Sequence, residues 1–291
     1  MRHTSFAPGK IIVSGEYAVV FGEPGLALPA PLGIRATFVE DAKKDHLDIK
    51  WLGIKGNAEW DLYLRRITGL LEQGRSPFRG TLTVMNQLPL QKGLGSSTAL
   101  VIAVSRVLIG KGKEAEALAV ENELNTGHSG IDFAVIWQSC PIYFRKGQTP
   151  IPLKEKILDP RHAVLIDTGK PKETTPELVA MVKEKADDPR IRQAIKTIGQ
   201  CTERLRKGED SRTVFRDHHR AQAALGVVPK AIQTMIADIE RLGGAAKVTG
   251  AGGKTGGGGM VLAIHKNPDL ITPVVRRNGY ALLPLSAALN P

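Results

Sequence analysis

The run Pro89-Leu90-Gln91-Lys92-Gly93-Leu94-Gly95-Ser96-Ser97-Thr98-Ala99 decides how this chain is read. The residues before it, Thr81 to Met85, have the composition of a strand, and Ala99 to Leu108 reads as a buried helix. A glycine-rich turn that feeds a helix N-terminus holds anions: Gly93 and Gly95 let the backbone approach a phosphate, and the first-turn N–H groups point at it. Ser96, Ser97 and Thr98 add hydroxyls suited to phosphate oxygens or to magnesium. The ordinary alternative is a loop whose Ser or Thr merely caps a helix.

Outward from that turn, the 291-residue chain has 42% hydrophobic residues, the balance of a globular protein with room for one large or two ordinary domains. Forty Lys and Arg against 29 Asp and Glu give a formal charge of +11. A basic surface suits nucleic acid, but equally ATP and an anionic small substrate. Aromatic residues make up only 5%, and no basic run is interleaved with them for stacking bases, so nucleic acid is not expected as a partner. Cys140 and Cys201 form neither a disulfide framework nor a zinc-type pair. With no apolar signal core and no apolar run approaching the ~20 residues of a membrane span, the chain reads as a soluble cytoplasmic protein.

Periodicity predicts strands after Lys10, over Ala27–Phe38 and Ala163–Asp167, and at Pro141–Arg145 and Met260–His265; Tyr280–Leu283 is one more short apolar segment, closed by Pro284. Helices are expected over Trp60–Glu72, Glu114–Leu124, Pro176–Lys185, Ile191–Leu205, Val214–Leu225 and Pro229–Leu242, and a short one around Asp132. The Glu114 helix is expected to turn Ala115, Leu118, Ala119 and Leu124 inward, and the charged stretch Glu40–Lys50 reads as a solvated hairpin. Composition shifts near Lys154. Lys10 either snorkels to solvent or points into a pocket, and Glu16 carries the same ambiguity.

Three lookalikes fail on spacing. Gly253-Lys254-Thr255 resembles a P-loop end, but Val248 stands where its first glycine is needed, and a strand follows instead of a helix. Gly127-His128-Ser129-Gly130 would need glycine at Ile131 to be a hydrolase elbow, and Gly93-Leu94-Gly95 would need it at Thr98 to be a dinucleotide fingerprint. Two glycine-rich loops, one lysine and two acids, Glu121 and Asp132, remain. Phosphoryl transfer uses such a set: backbone donors around phosphates, a metal held by carboxylate and hydroxyl, and a base at the acceptor hydroxyl. Ser97 and Glu121 suit the metal, Asp132 the acceptor proton, and Lys10 the charge beside it.

These motifs resemble the GHMP kinases. Pro8-Gly9-Lys10 to Gly15-Glu16-Tyr17-Ala18-Val19-Val20, then Pro89 to Ala99, then Ser129-Gly130-Ile131-Asp132, then Lys247-Val248-Thr249-Gly250-Ala251-Gly252-Gly253 stand in family order over nearly the whole chain. Glu16 to Gly22, Ile166-Asp167-Thr168-Gly169 with Thr174-Thr175 and Leu178-Val179, and Leu225-Gly226-Val227 are most similar to the mevalonate kinases. The resemblance implies an α+β fold of two domains. Residues 1–153 would form an ATP-binding domain like ribosomal protein S5 domain 2, and residues 154–291 a ferredoxin-like one. It also implies ATP- and Mg2+-dependent phosphorylation of the primary hydroxyl of mevalonate. Lys10 and Asp132 would be the catalytic pair, and Lys92, Gly93, Leu94, Gly95, Ser96, Ser97 and Thr98 would wrap ATP. Ser97 and Glu121 would bind the metal, and Glu16, Tyr17, Ser129, Thr175, Gly250, Ala251 and Gly252 would face the substrate. A homodimer is implied as well.

Three positions differ from the family pattern. Tyr17 stands where mevalonate kinases usually carry histidine, and a Glu-Tyr pair there is typical of phosphomevalonate kinase, the alternative in the same class. His128 replaces a proline. Lys254-Thr255 lengthens the glycine run, and Lys254 either favours a more anionic acceptor or points into solvent. A nucleotide- or metabolite-binding sensor without catalysis is the alternative of another class, and the intact Lys10, Ser97, Glu121 and Asp132 argue against it.

Overall fold

The computed structural model describes residues 1–53 and 58–285, arranged as two compact units that exchange segments of chain. The first comprises Met1–Lys10, Pro29–Leu90 and Gly95–Ser139; the second comprises Ile11–Leu28, Gln91–Leu94 and Cys140–Pro291. Two long strands, β1 (Arg2–Ser14) and β2 (Gly25–Glu40), pair with each other and run through both units.

In the first unit β2 pairs antiparallel with β4 (Gly80–Asn86), and β4 pairs parallel with β3 (Leu47–Gly53). The expected hairpin over Glu40–Lys50 is therefore absent: β4 lies between β2 and β3 in the sheet. A parallel neighbour needs a crossover, and helix α1 (Ala58–Glu72) supplies it. Helix α2 (Ser96–Leu108) packs against α1, α3 (Glu114–Leu124) and α4 (Ile131–Gln138) and is buried on nearly every side. It begins three residues before the expected Ala99, so Ser96, Ser97 and Thr98 form its first turn. The bounds of α3 are as expected, but its inward face is not. Ala117, Val120 and Glu121 are buried, whereas Ala115 and Ala119 are exposed. The alanines carry little apolar surface, and helix packing turns a carboxylate inward instead.

In the second unit β5 (Ile142–Phe144) pairs with the start of β2 and with β6 (Ile151–Pro152). A separate antiparallel sheet has the order β10-β7-β9-β8, from β7 (Ala163–Asp167), β8 (Ala245–Thr249), β9 (Met260–Ile264) and β10 (Ala281–Pro284). Helices α5 (Thr175–Glu184), α6 (Pro189–Arg206), α7 (Ser211–Ala224), α8 (Lys230–Arg241) and α9 (Thr272–Arg277) complete it. Its core joins Val164, Ile166, Val248 and Val261 of the sheet to Ile198, Ile232, Met235 and Ile236 of the helices. Among the described residues no helix is long and apolar enough to cross a membrane.

Candidate active site

In the first unit the site is built around the N-terminus of α2. Gly95 caps it in the left-handed region at φ 73°, leaving the first-turn N–H groups free of intrahelical partners. A Cβ on Gly95 would stand 2.8 Å from Lys10 Cγ and 3.1 Å from Ile136 Cδ1. Glycine is thus required by conformation and by space. Gly95→Ala is expected to lower stability by about 1–3 kcal/mol and to displace the Lys10 stem; thermal unfolding and turnover of the purified variant check it.

Lys10, in β1, is buried, and its Nζ lies 3.1 Å from Asp132 Oδ1. Lys10 therefore does not snorkel to solvent; its ammonium is turned inward onto Asp132. Asp132 stands in the first turn of α4, behind Gly130 at φ 91°, where the helix dipole favours a carboxylate. Its side chain keeps 32% exposure, so it is reachable from outside while its partner is not. Ser129 precedes that turn, and its hydroxyl oxygen accepts from Ile131 N at 3.4 Å.

Glu121 is 1% exposed, and Thr98 Oγ1 donates to its Oε1 at 2.7 Å. Its Oε2 is buried with no hydrogen-bond partner. Burial pushes the Glu121 carboxyl up to about 7; hydrogen bonds from Thr98 and Asn125 pull it back, and the charge of Asp132 pushes it further. Asn125 Nδ2 also donates to the Tyr63 hydroxyl at 2.9 Å, and the phenol is pushed up by burial and by Glu121. Thr98→Val removes the hydroxyl that donates to Oε1 at 2.7 Å. It is expected to raise the Glu121 pKa further and to cost about 1–3 kcal/mol, read from denaturant unfolding at pH 8.

In the second unit Glu16 is fully buried. Its carboxylate pairs with the Lys247 ammonium, and His218 Nε2 lies 3.0 Å from its Oε2. Burial works against the Glu16 charge, but Lys247 and His218 hold the carboxyl below its usual range. Burial, then Lys247, push the His218 imidazole down. Tyr17, at φ 62°, donates its hydroxyl to the carbonyl of Ala251. Gly252 stands at φ 70°, where a Cβ would meet Val227 O at 2.2 Å, and Gly250 packs its Cα side against Gly93. Lys92 Nζ lies 2.6 Å from Asp167 Oδ2, at the end of β7, and Lys92 O accepts from Met260 N at 3.1 Å. Thr175 is exposed at the start of α5, and it is Thr174 that caps that helix. Lys254 is exposed. The Glu173 carboxylate accepts from Lys254 N at 3.0 Å and from Thr255 N and Oγ1, with the hydroxyl bond leading in holding its pKa down to about 2.

The structure thus brings Lys10 to Asp132 and Thr98 to Glu121 within one unit, and Glu16, Tyr17 and Ala251 together within the other. The Lys92–Thr98 loop is shared: Gln91–Leu94 belongs to the second unit and Gly95 onward to the first. Tyr63, Asn125, Asp167, His218 and Lys247 were not singled out from the sequence. Asn125 lies one helical turn after Glu121 and was within reach of spacing; the others contact candidate residues dozens to hundreds of positions away.

No family model matches the chain. Among solved structures, the mevalonate kinase of Methanococcus jannaschii superposes with a TM-score of 0.79 at 18% identity, covering 97% of each chain. The phosphomevalonate kinase of Streptococcus pneumoniae, in complex with phosphomevalonate and AMPPNP, superposes with a TM-score of 0.75 at 15% identity, over 97% of this chain and 98% of that one. The α+β architecture is accordingly that of the GHMP small-molecule kinases. The mevalonate kinase of Thermococcus gammatolerans is 30% identical over 333 residues, covering 97% of this chain and 96% of its own length. The chain belongs to the mevalonate kinase family.

Proposed function

We propose that this protein transfers the γ-phosphoryl group of ATP to the primary hydroxyl of mevalonate. The observation that carries the reading is the buried Lys10 ammonium, 3.1 Å from a partly exposed Asp132, beside the α2 N-terminus at Gly95. That arrangement sets a carboxylate to accept a hydroxyl proton, a cation to stabilise the charge that develops, and free backbone donors for phosphate oxygens.

Asp132 Oδ takes the proton of the acceptor hydroxyl as its oxygen attacks phosphorus. Lys10 orients Asp132 and offsets the growing negative charge. The Gly93–Thr98 loop and the first turn of α2 hold the phosphates through backbone N–H groups and the hydroxyls of Ser96 and Ser97. The unpartnered Oε2 of Glu121 and the Ser97 hydroxyl suit a hard, oxygen-seeking cation, and they would hold magnesium. Magnesium, when bound, neutralises charge on the transferring phosphates. On the acceptor side Glu16, Tyr17, Ser129, Thr175 and the Gly250–Gly252 loop are proposed to shape the substrate site. Residues 1–153 and 154–291 are proposed as the two family domains, in a cytoplasmic homodimer.

The test is ATP consumption with magnesium against mevalonate, 5-phosphomevalonate, homoserine and galactose in parallel. Turnover on mevalonate is expected. Turnover on 5-phosphomevalonate alone would reassign the acceptor, a reading that the Glu16-Tyr17 pair favours. Silence with all four would leave a nucleotide-binding protein without this activity.

A further inference from the structure

The interior of the second unit holds a charged cluster, of which phosphoryl transfer as derived above uses Glu16 but neither Lys247 nor His218. Lys247, on β8, has no exposed surface. Its ammonium pairs with Glu16 and donates to Ile12 O at 3.0 Å. Two residues on, the Thr249 hydroxyl accepts from Ile12 N and donates to Ile12 O, both at 3.0 Å. Two residues further, Ala251 O accepts from the Tyr17 hydroxyl. Successive side chains of a strand alternate between faces, so Lys247 and Thr249 share one face of β8. Lys247, Thr249 and Ala251 therefore grip Ile12, Glu16 and Tyr17 in register, 231 to 237 residues apart in sequence.

The gripped segment is a constrained turn. Gly15 stands at φ 108°, where a Cβ would meet Gly25 Cα at 2.4 Å, and Tyr17 stands at φ 62°, ψ −48°, a positive φ that a bulky side chain rarely adopts. A buried ion pair adds little net stability over a well-packed apolar pair of the same volume, whereas it fixes one geometry. The Lys247–Glu16 pair is thus poorly explained by stability and well explained by register.

We propose that Lys247 is a positioning residue for the acceptor side of the reaction. It acts through Glu16 and the Ile12 carbonyl to hold the Gly15–Tyr17 turn in fixed register with the Gly250–Gly252 loop. The inference rests on the proposed reading of these two segments as substrate-binding.

Glu16→Gln and Lys247→Met/Glu16→Gln separate the roles. Glu16→Gln keeps an oxygen for Lys247 and leaves its bond to Ile12; because Glu16 is itself proposed to shape the substrate site, this variant is the reference, and whatever rise in acceptor KM it shows belongs to Glu16, only a further rise in the double variant belonging to Lys247. The double variant carries no buried charge at either position but loses the grip, and its acceptor KM is expected to rise by about tenfold or more with the KM for ATP unchanged. A folded double variant with parental acceptor KM overturns the proposal. So does a Glu16→Gln variant that shows the whole rise, because Glu16 then acts without Lys247. If the double variant does not fold, Lys247→Leu/Glu16→Gln, which likewise removes the bonds from position 247 to Ile12 and Glu16, is read the same way; failure of both to fold makes the residue structural only and ends the proposal. The acceptor is whichever one the parent phosphorylates. If the parent phosphorylates none, the proposed function fails separately, and amide hydrogen exchange decides. Faster exchange in the double variant at both Ala18 and Gly253 supports the register role, and parental exchange at both overturns it.

Discussion

Asp132→Asn lowers kcat on mevalonate by about a hundredfold to ten-thousandfold, the range spanned by loss of a positioned general base. Asparagine keeps an oxygen where Oδ1 stands 3.1 Å from Lys10, so the buried ammonium retains an acceptor. The fold is therefore expected to survive with a stability loss of about 1 kcal/mol, and nucleotide binding, proposed to rest on the Lys92–Thr98 loop, to change little. Single-turnover measurement of acceptor phosphorylation, together with calorimetric titration by a non-hydrolysable ATP analogue, checks both parts. Near-normal kcat in a folded variant would remove Asp132 from the role of base.

Glu121→Gln gives the opposite combination, a more stable protein that has lost metal-dependent turnover. The carboxyl stands at about 7 in the folded protein, against 4.5 for its ordinary value. Below 4.5 both folded and unfolded chains hold the proton, and the residue costs nothing. As pH rises toward 7 the unfolded chain releases its proton first, so stability falls through that window and levels off above it. The loss is on the order of 3 kcal/mol. Glutamine does not titrate, but it places an amide where Oε2 now lies unpartnered, at a cost of about 1 kcal/mol. The variant is therefore expected to gain about 2 kcal/mol at pH 8 and to lose about 1 kcal/mol at pH 4.5, where only the cost of the amide remains. Thermal unfolding of parent and variant without ligands, across that range, reads the difference directly. On the metal role proposed for Glu121, magnesium competes there with the proton, so affinity for the metal–nucleotide complex is expected to fall as pH drops through about 7. A stability curve for Glu121→Gln parallel to the parent's would show that this carboxyl is not perturbed.

Local composition carried much of the fold. The run Ala163–Asp167 is apolar and β-branched, and it forms a strand with those bounds. The amphipathic helices in the C-terminal half lie within two or three residues of their expected ends because wide apolar stripes leave one way to bury them. What failed was pairing and facing. Nothing near Glu40–Lys50 states that β4, some thirty residues later, will insert beside β2 and take β3 as a parallel neighbour. In α3, periodicity ranks a glutamate as an outward residue, yet Glu121 is buried because Thr98 and Asn125 meet it. Lys10, Asp132, Ser97 and Glu121 were legible as chemical types at motif spacing. The Glu16 ambiguity could not be settled from sequence, since its two partners, His218 and Lys247, lie on α7 and β8 and are themselves residues that composition places outside.

The assignment of Ile11–Leu28 to the second unit has a consequence for synthesis. That segment is made well before Lys247, Thr249 and Ala251, which bond it from 231 to 237 residues further along the chain. Most of the chain must emerge before its second strand-and-turn segment finds its partners. Contacts this distant close slowly, and the waiting segment, rich in Ile and Val, is exposed meanwhile to other unfinished chains. The first unit has its last segment, Gly95–Ser139, in hand at mid-synthesis and is free to fold early. Nascent chains halted after residue 139 should already protect the helices α1 to α4 against protease, while Ile11–Leu28 stays cleavable until β8 is released. Recombinant yield is then governed by translation speed and chaperone supply over the C-terminal half more than by the stability of the finished protein.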